Sequence, residues 1–142
     1  MPDERVCYRR LRHYKYQVRE NFSISTNIRP RAPVDTDFIS LTADGRLTIK
    51  ASYAWDGPSG IALDTKTSMR GSLAHDALYQ LMREGLVDIE YREEVDNLLK
   101  ALCIQDGMFP LRAWYMHKGV RLFGGRYAQP KTKTGPSLMY AP

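Results

Sequence analysis

The hydrophobic pattern of this chain changes period once, at Trp55, and that change limits the folds open to it. Ahead of it, apolar residues alternate. In FISLTADGRLTIKASYAW, Leu47, Ile49, Ala51 and Tyr53 alternate with Thr48, Lys50 and Ser52, the period of a half-buried strand. Asp44-Gly45 supplies a positive-φ turn, so the stretch reads as a hairpin. Residues 5–25 also read as strand: Tyr14, Tyr16 and Val18 alternate with Lys15 and Gln17, and FSIST is β-branched and aromatic. Pro30 and Pro33 bar a central strand, so the intervening IRPRAPVDTD is a loop or edge crossing.

Beyond Trp55 the period becomes helical. DGPSG is turn chemistry, and IALDTKTS leads into a helix that starts near Thr67 or Ser68 and runs to about Glu84, with Gly85 as its stop. A second helix fits Tyr91 to Asp106, where Val95, Leu98, Leu99 and Leu102 recur at helical spacing before Gly107. A third starts at Pro110, a favoured first-turn residue, and carries Leu111, Trp114, Tyr115, Val120, Leu122 and Phe123 up to Gly124-Gly125. Strands first and helices second describe an α+β domain: a small N-terminal antiparallel sheet packed by a helical hairpin plus a third helix. Residues 1–126 form that domain, and the Pro-, Thr- and Lys-rich residues 127–142 form an irregular tail ending in a Leu-Met-Tyr that either docks on a partner or packs on its own domain.

At 142 residues the chain is large enough to bury one core without cross-links. No apolar run approaches the length of a membrane span. The N-terminal stretch is charged and lacks a signal peptide's apolar centre, so no export by itself is expected. Cys7 and Cys103 have neither CxxC spacing nor histidines at zinc-ligand intervals, which predicts two buried free thiols in a reducing compartment. The net charge of +5 is concentrated at the two ends of the chain. It could contact nucleic acid or an acidic partner, but no nucleic-acid-binding fold signature accompanies it. The N-terminal cations alternate with apolar residues, as on the wet face of a sheet.

One polar pair interrupts the apolar first helix, His75-Asp76 in LAHDALYQLM, and burying such a pair is costly unless it is partnered. Tyr79 lies one turn along on the face of His75. An antiparallel second helix could bring Asp96 to His75. A carboxylate on one imidazole nitrogen orients the ring and frees the other nitrogen to act as a base toward water. Asp76 could hold a hard cation together with backbone carbonyls of the WDGPSG loop. Bland alternatives stand beside each of these. The pair could be a salt-linked His with a solvent-facing Asp, Trp55 a core anchor, Tyr79 a core aromatic, and Asp96 a surface residue of the charged run YREEVD. Asp64 is a further possible loop ligand, whereas His13 and His117 read as surface or core residues. There is no G-x-S-x-G elbow, P-loop or H-E-x-x-H.

Two resemblances add to this. From about residue 36 to 124, the order of the strand pair, W-D-G-P-S-G, R-x-S-L-x-H-D-A-L-Y, E-V-D-N-L-L and V-R-L-F-G-G resembles a domain-of-unknown-function family encoded by tailed bacteriophages and prophages. That implies a phage protein, located in the host cytoplasm or the virion, whose basic ends and tail contact other virion proteins. Locally, H-D-x-x-Y followed by an Asp on the next helix resembles the active site of the phospholipase A2 superfamily. The resemblance implies His75 as general base, Asp76 as Ca²⁺ ligand, and Tyr79 and Asp96 as the groups bonded to each other and to the His. It also implies Ca²⁺ as cofactor, with carbonyls of Trp55, Gly57 and Ser59, which lie 20, 18 and 16 residues before His75. The expected function is a Ca²⁺-dependent hydrolase of ester or related bonds. The alternative is a non-catalytic virion protein in which the same cluster is a structural polar network.

Overall fold

The computed structural model describes residues 5–10, 16–55 and 66–129. Their order is the expected one. Seven short strands come first: β1 (Tyr8–Arg10), β2 (Tyr16–Val18), β3 (Phe22–Ser25), β4 (Val34–Asp35), β5 (Ile39–Leu41), β6 (Arg46–Ile49) and β7 (Ala54–Trp55). Helices α1 (Lys66–Arg83), α2 (Arg92–Gln105), α3 (Pro110–Phe123) and α4 (Gly125–Ala128) follow, with a 3-10 turn at Ile89–Tyr91 before α2. The fold is α+β.

The strands form two antiparallel sheets where one was expected, in the orders β1-β2-β7 and β3-β6-β5-β4. The β5-β6 hairpin turns at Asp44-Gly45, with Gly45 at φ 96°. It closes against the loop after β3, where the Thr26 amide and hydroxyl both donate to the Gly45 carbonyl at 2.8 Å. A side chain at position 45 would stand 2.4 Å from the Thr26 carbonyl, so glycine is needed for space as well as for φ.

The strand expected to run on through Tyr53 breaks after Ile49. Ser52 adopts φ 82°, the Tyr53 amide donates to the Lys50 carbonyl, and Val18 accepts from the Ser52 amide while donating to the Tyr53 carbonyl. That is a turn leading into a bulge, and it passes the chain from the four-stranded sheet to the three-stranded one. Alternation survives on both sides of it, since Leu47, Ile49, Tyr53 and Trp55 are all buried while Ala51 is exposed.

The sheets, α1 and α2 share an apolar core running from Tyr16, Phe22 and Ile39 to Leu73, Leu78, Leu81 and Met82, while Leu99, Cys103, Met108, Ala113 and Met116 form a second cluster between α2 and α3. α1 is the axis of the first, buried at every position from Ser68 to Ala74. It ends at Gly85, φ 75°, where the Leu86 amide donates to the Leu81 carbonyl and the Gly85 amide to the Met82 carbonyl. α4 straddles the expected domain boundary at residue 126 and buries Ala128 in the main core. Of the cysteines, Cys103 is buried as expected but Cys7 is exposed, because it precedes a short edge strand rather than lying under one. No helix among the described residues is long and apolar enough to cross a membrane.

Candidate functional site

The site follows from how closely α1 and α2 approach. Gly71 has no side chain where a Cβ would lie 3.1 Å from the Leu99 carbonyl and 3.0 Å from Cys103 Sγ. The helices run antiparallel at that crossing, so one turn forward on α1 meets one turn back on α2. Position 75 therefore faces position 96. His75 Nε2 lies 2.8 Å from Asp96 Oδ1. The Tyr79 hydroxyl, a further turn along α1, donates to the same oxygen at 2.5 Å. The His75 and Tyr79 rings lie tilted against each other, centroids 4.1 Å apart. Asp96 is fully buried at 0% exposure, which overturns its reading as a surface residue of YREEVD. The apolar stripe of α2 takes precedence over the charges preceding it.

The other carboxylate oxygen has a partner that the sequence did not signal. Arg121 Nη1, from α3, donates to Asp96 Oδ2 at 2.9 Å. Arg92 stands one turn before Asp96 on α2, with Nε 3.8 Å from Oδ2. It donates from Nε to the Tyr79 hydroxyl at 3.1 Å, and from Nη2 to the Val120 and Arg121 carbonyls at 2.6 and 2.7 Å. Gly124 completes the enclosure, since a Cβ there would sit 3.1 Å from the Tyr79 hydroxyl. Three helices thus converge on one carboxylate. The i, i+4 spacing of Arg92 and Asp96 could have flagged Arg92. Nothing local marks Arg121, whose contact depends on where α3 lands.

Burial pushes the Asp96 carboxyl upward, but the hydrogen bonds from His75 and Tyr79, the charge of His75 and the bond from Arg121 prevail and hold it below the ordinary carboxylate value. Burial pulls His75 downward, while hydrogen bonding and charge from Asp76 and then Asp96 outweigh it, so its value is raised. Tyr79 is raised by burial first and by the bond to Asp96 second, and it stays a neutral donor. No buried side-chain nitrogen or oxygen among the described residues lacks a partner.

On the other edge of the imidazole, His75 Nδ1 lies 3.7 Å from Asp76 Oδ1. The Asp76 side chain is 42% exposed, whereas that of His75 is 9% exposed. A half-exposed carboxylate is the kind of hard oxygen donor that Ca²⁺ takes, and Asp76 would supply one such ligand. Trp55 is 3% exposed. Its indole N–H faces Ser72 Oγ at 3.3 Å, and its backbone pairs with Tyr16 in the three-stranded sheet. Gly57, Ser59 and Asp64 lie outside the described residues, as does His13. Among the described residues no group of three His, Cys, Asp or Glu is disposed to hold a metal ion. His117 lies away from the cluster's centre, with Nε2 2.8 Å from Asn97 Oδ1. The structure therefore brings together His75, Asp76, Tyr79 and Asp96, with Arg92 and Arg121 added behind them. No protein-family model, curated protein or solved structure matches this chain.

Proposed function

We propose that this is a phage-encoded hydrolase of ester or related bonds, in which His75 activates water and Asp76 holds Ca²⁺. One observation carries the reading: Nε2 of His75 is tied to the buried Asp96 while Nδ1 faces the half-exposed Asp76. Asp96 accepts from Nε2–H, which fixes the tautomer and leaves the lone pair of the neutral ring on Nδ1, the nitrogen that faces Asp76. In the reaction, a water at Nδ1 loses its proton to that nitrogen as its oxygen bonds to the ester carbonyl carbon. The resulting imidazolium is stabilised by Asp96, itself anchored by Tyr79 and Arg121. The same proton then passes to the departing alkoxide as the acyl–oxygen bond breaks. Ca²⁺ at Asp76 would supply Lewis-acid stabilisation of the negative charge that develops on the carbonyl oxygen. The phage origin rests on the order and spacing of the W-D-G-P-S-G, H-D-A-L-Y and V-R-L-F-G-G motifs.

His75→Gln is the test, because the glutamine amide can still donate to Asp96 but offers no base on the other side. Hydrolysis of phospholipid and chromogenic esters in Ca²⁺ is expected to fall at least about 100-fold, the usual contribution of a general base, with the melting temperature nearly unchanged. Unchanged turnover sinks the reading, and so does an inactive wild type.

A second reading is favoured by the enclosure of the cluster. Asp96 has no exposed surface and joins α1, α2 and α3. In this reading the cluster is a polar staple in a non-catalytic virion protein that contacts neighbouring subunits through its basic ends and tail. Mass spectrometry of purified virions, finding the protein at stoichiometric copy number together with wild-type assembly by Asp76→Asn, would support it over the hydrolase.

A further inference from the structure

We propose that the outer face of α3 docks on an anionic phospholipid bilayer surface. This inference does not rest on the hydrolase reading.

The helix carries its apolar bulk on the side away from the core. Its buried residues are Ala113, Met116 and Gly119, a thin inner face. Outward stand Leu111 at 67% exposure, Tyr115 at 57%, Trp114 at 44% and Leu122 at 72%, flanked by Phe109 and Phe123 at 78% and 70%. Leu111, Tyr115, Lys118 and Leu122 follow one another at i, i+4, i+7 and i+11, so they form one stripe. Phe109, Pro110, Leu111, Arg112 and Tyr115 line a shallow apolar groove at its start. Exposed large apolar side chains in one contiguous stripe mark an interaction surface, and among the described residues nothing packs over this one.

Charge selects the occupant. Asp106 is the last acidic residue of the chain, and Arg112, Lys118, Arg121, Arg126, Lys131 and Lys133 follow it. Arg121 is committed to Asp96, but Lys118 lies within the stripe, its ammonium 5.4 Å from the Trp114 ring centre. Long cationic side chains among aromatic and aliphatic ones suit a bilayer interface, where stems and rings enter the acyl boundary and ammonium groups meet lipid phosphates. A second copy would bring a patch of the same sign against this one. Nucleic acid would satisfy the cations but leave Leu111, Leu122 and Phe123 without an apolar partner.

Trp114 is its own reporter, because the chain's other tryptophan, Trp55, is buried. Vesicles of phosphatidylcholine with phosphatidylglycerol should co-sediment the protein and shift its emission to shorter wavelength, less so as salt rises, whereas pure phosphatidylcholine should bind it weakly. Each unit of positive charge removed near the surface should cost about fivefold in partitioning, hence more than tenfold for Lys118→Glu. Leu111→Asp with Leu122→Asp should abolish the spectral shift. Both variants alter exposed positions and should melt like wild type. His75→Gln should bind as wild type does, so loss of hydrolysis leaves this proposal standing. It is overturned if anionic vesicles are not bound, if the doubly substituted variant binds unchanged, or if DNA retains the protein while vesicles do not. Trp114 emission already at short wavelength in the free protein, or shifting with protein concentration alone, also overturns it.

Discussion

Helices α1 and α2 are tied together at two places, and the two ties are built differently. At the N-terminal end of α1, Arg70 makes a bidentate pair with Asp106, Nε to Oδ2 at 3.1 Å and Nη2 to Oδ1 at 3.0 Å, with Gln105 Oε1 a further 2.8 Å acceptor. Asp106 retains 24% side-chain exposure, so water can reach it. Further along, His75 meets an Asp96 with none. The first tie is centred on one part-buried ion pair, Arg70 with Asp106, with Gln105 beside it. The second recruits Tyr79, Arg92 and Arg121 and leaves one imidazole nitrogen directed at a half-exposed carboxylate. A tie that served only to hold two helices would be served as well by the simpler arrangement. The second carries extra contacts on the carboxylate that holds Nε2, and its other nitrogen faces the half-exposed Asp76, the outlet side of the tie.

Removing the carboxylate at the complex tie should have the largest effect on stability. Asp96→Ala leaves His75, Tyr79 and Arg121 buried against a gap, and breaking a buried ion pair by deleting one partner costs about 3–5 kcal/mol. Chemical denaturation should show that loss at neutral pH. The sign of its pH dependence follows from the depressed value of Asp96. The contribution is fully present above the ordinary carboxylate value of 3.8 and is lost as pH falls toward the lower folded value. The wild type should therefore converge on Asp96→Ala in acid. A gap that stays constant down to the acid transition would show that Asp96 contributes through packing alone.

Arg70→Met should cost less, about 2 kcal/mol, because hydrogen bonds to a charged group are lost but Asp106 can rehydrate. Equal losses at Arg70 and Asp96 would erase the distinction between the two ties. Between them sits Gly71, and Gly71→Ala would press a methyl against the Leu99 carbonyl at 3.1 Å. Overpacking outweighs the gain in helix propensity, for a net loss of about 1 kcal/mol. Since both ties depend on that close approach, a double-mutant cycle of Gly71→Ala with Asp96→Ala should show coupling, and strict additivity would refute it.

Much of this was legible in the sequence because it depends on local pattern. The three long helices follow from their period and glycine stops, and His75, Tyr79 and Asp96 share a cluster because an antiparallel hairpin has few ways to bring spaced positions together. The division into two sheets was hidden, since it turns on a positive φ at Ser52, a conformation uncommon for any residue but glycine. Which face of α3 turns inward was hidden for a related reason. Its apolar residues fall on several sides of the helix, and only the tertiary arrangement shows that Ala113, Met116 and Gly119 occupy the inner side while Leu111, Trp114 and Leu122 are exposed. The contact of Asp96 with Arg121 likewise depends on where α3 docks, which no spacing within α2 encodes.

The smallest structural effect should accompany the most informative substitution. Asp76 is half-exposed and its contact with His75 Nδ1 is long at 3.7 Å, so Asp76→Asn should shift stability by under about 0.5 kcal/mol. Its shape is kept and its charge is lost. If the outlet side of the second tie is a Ca²⁺ site, calorimetry should record ion binding to the wild type and none to Asp76→Asn, with Arg70→Met binding as the wild type does. Ca²⁺ binding that survives Asp76→Asn would place the ion elsewhere and detach the metal from His75. A large stability loss in Asp76→Asn without Ca²⁺ would make the contact between His75 and Asp76 structural, and the two ties would then differ in complexity but not in purpose.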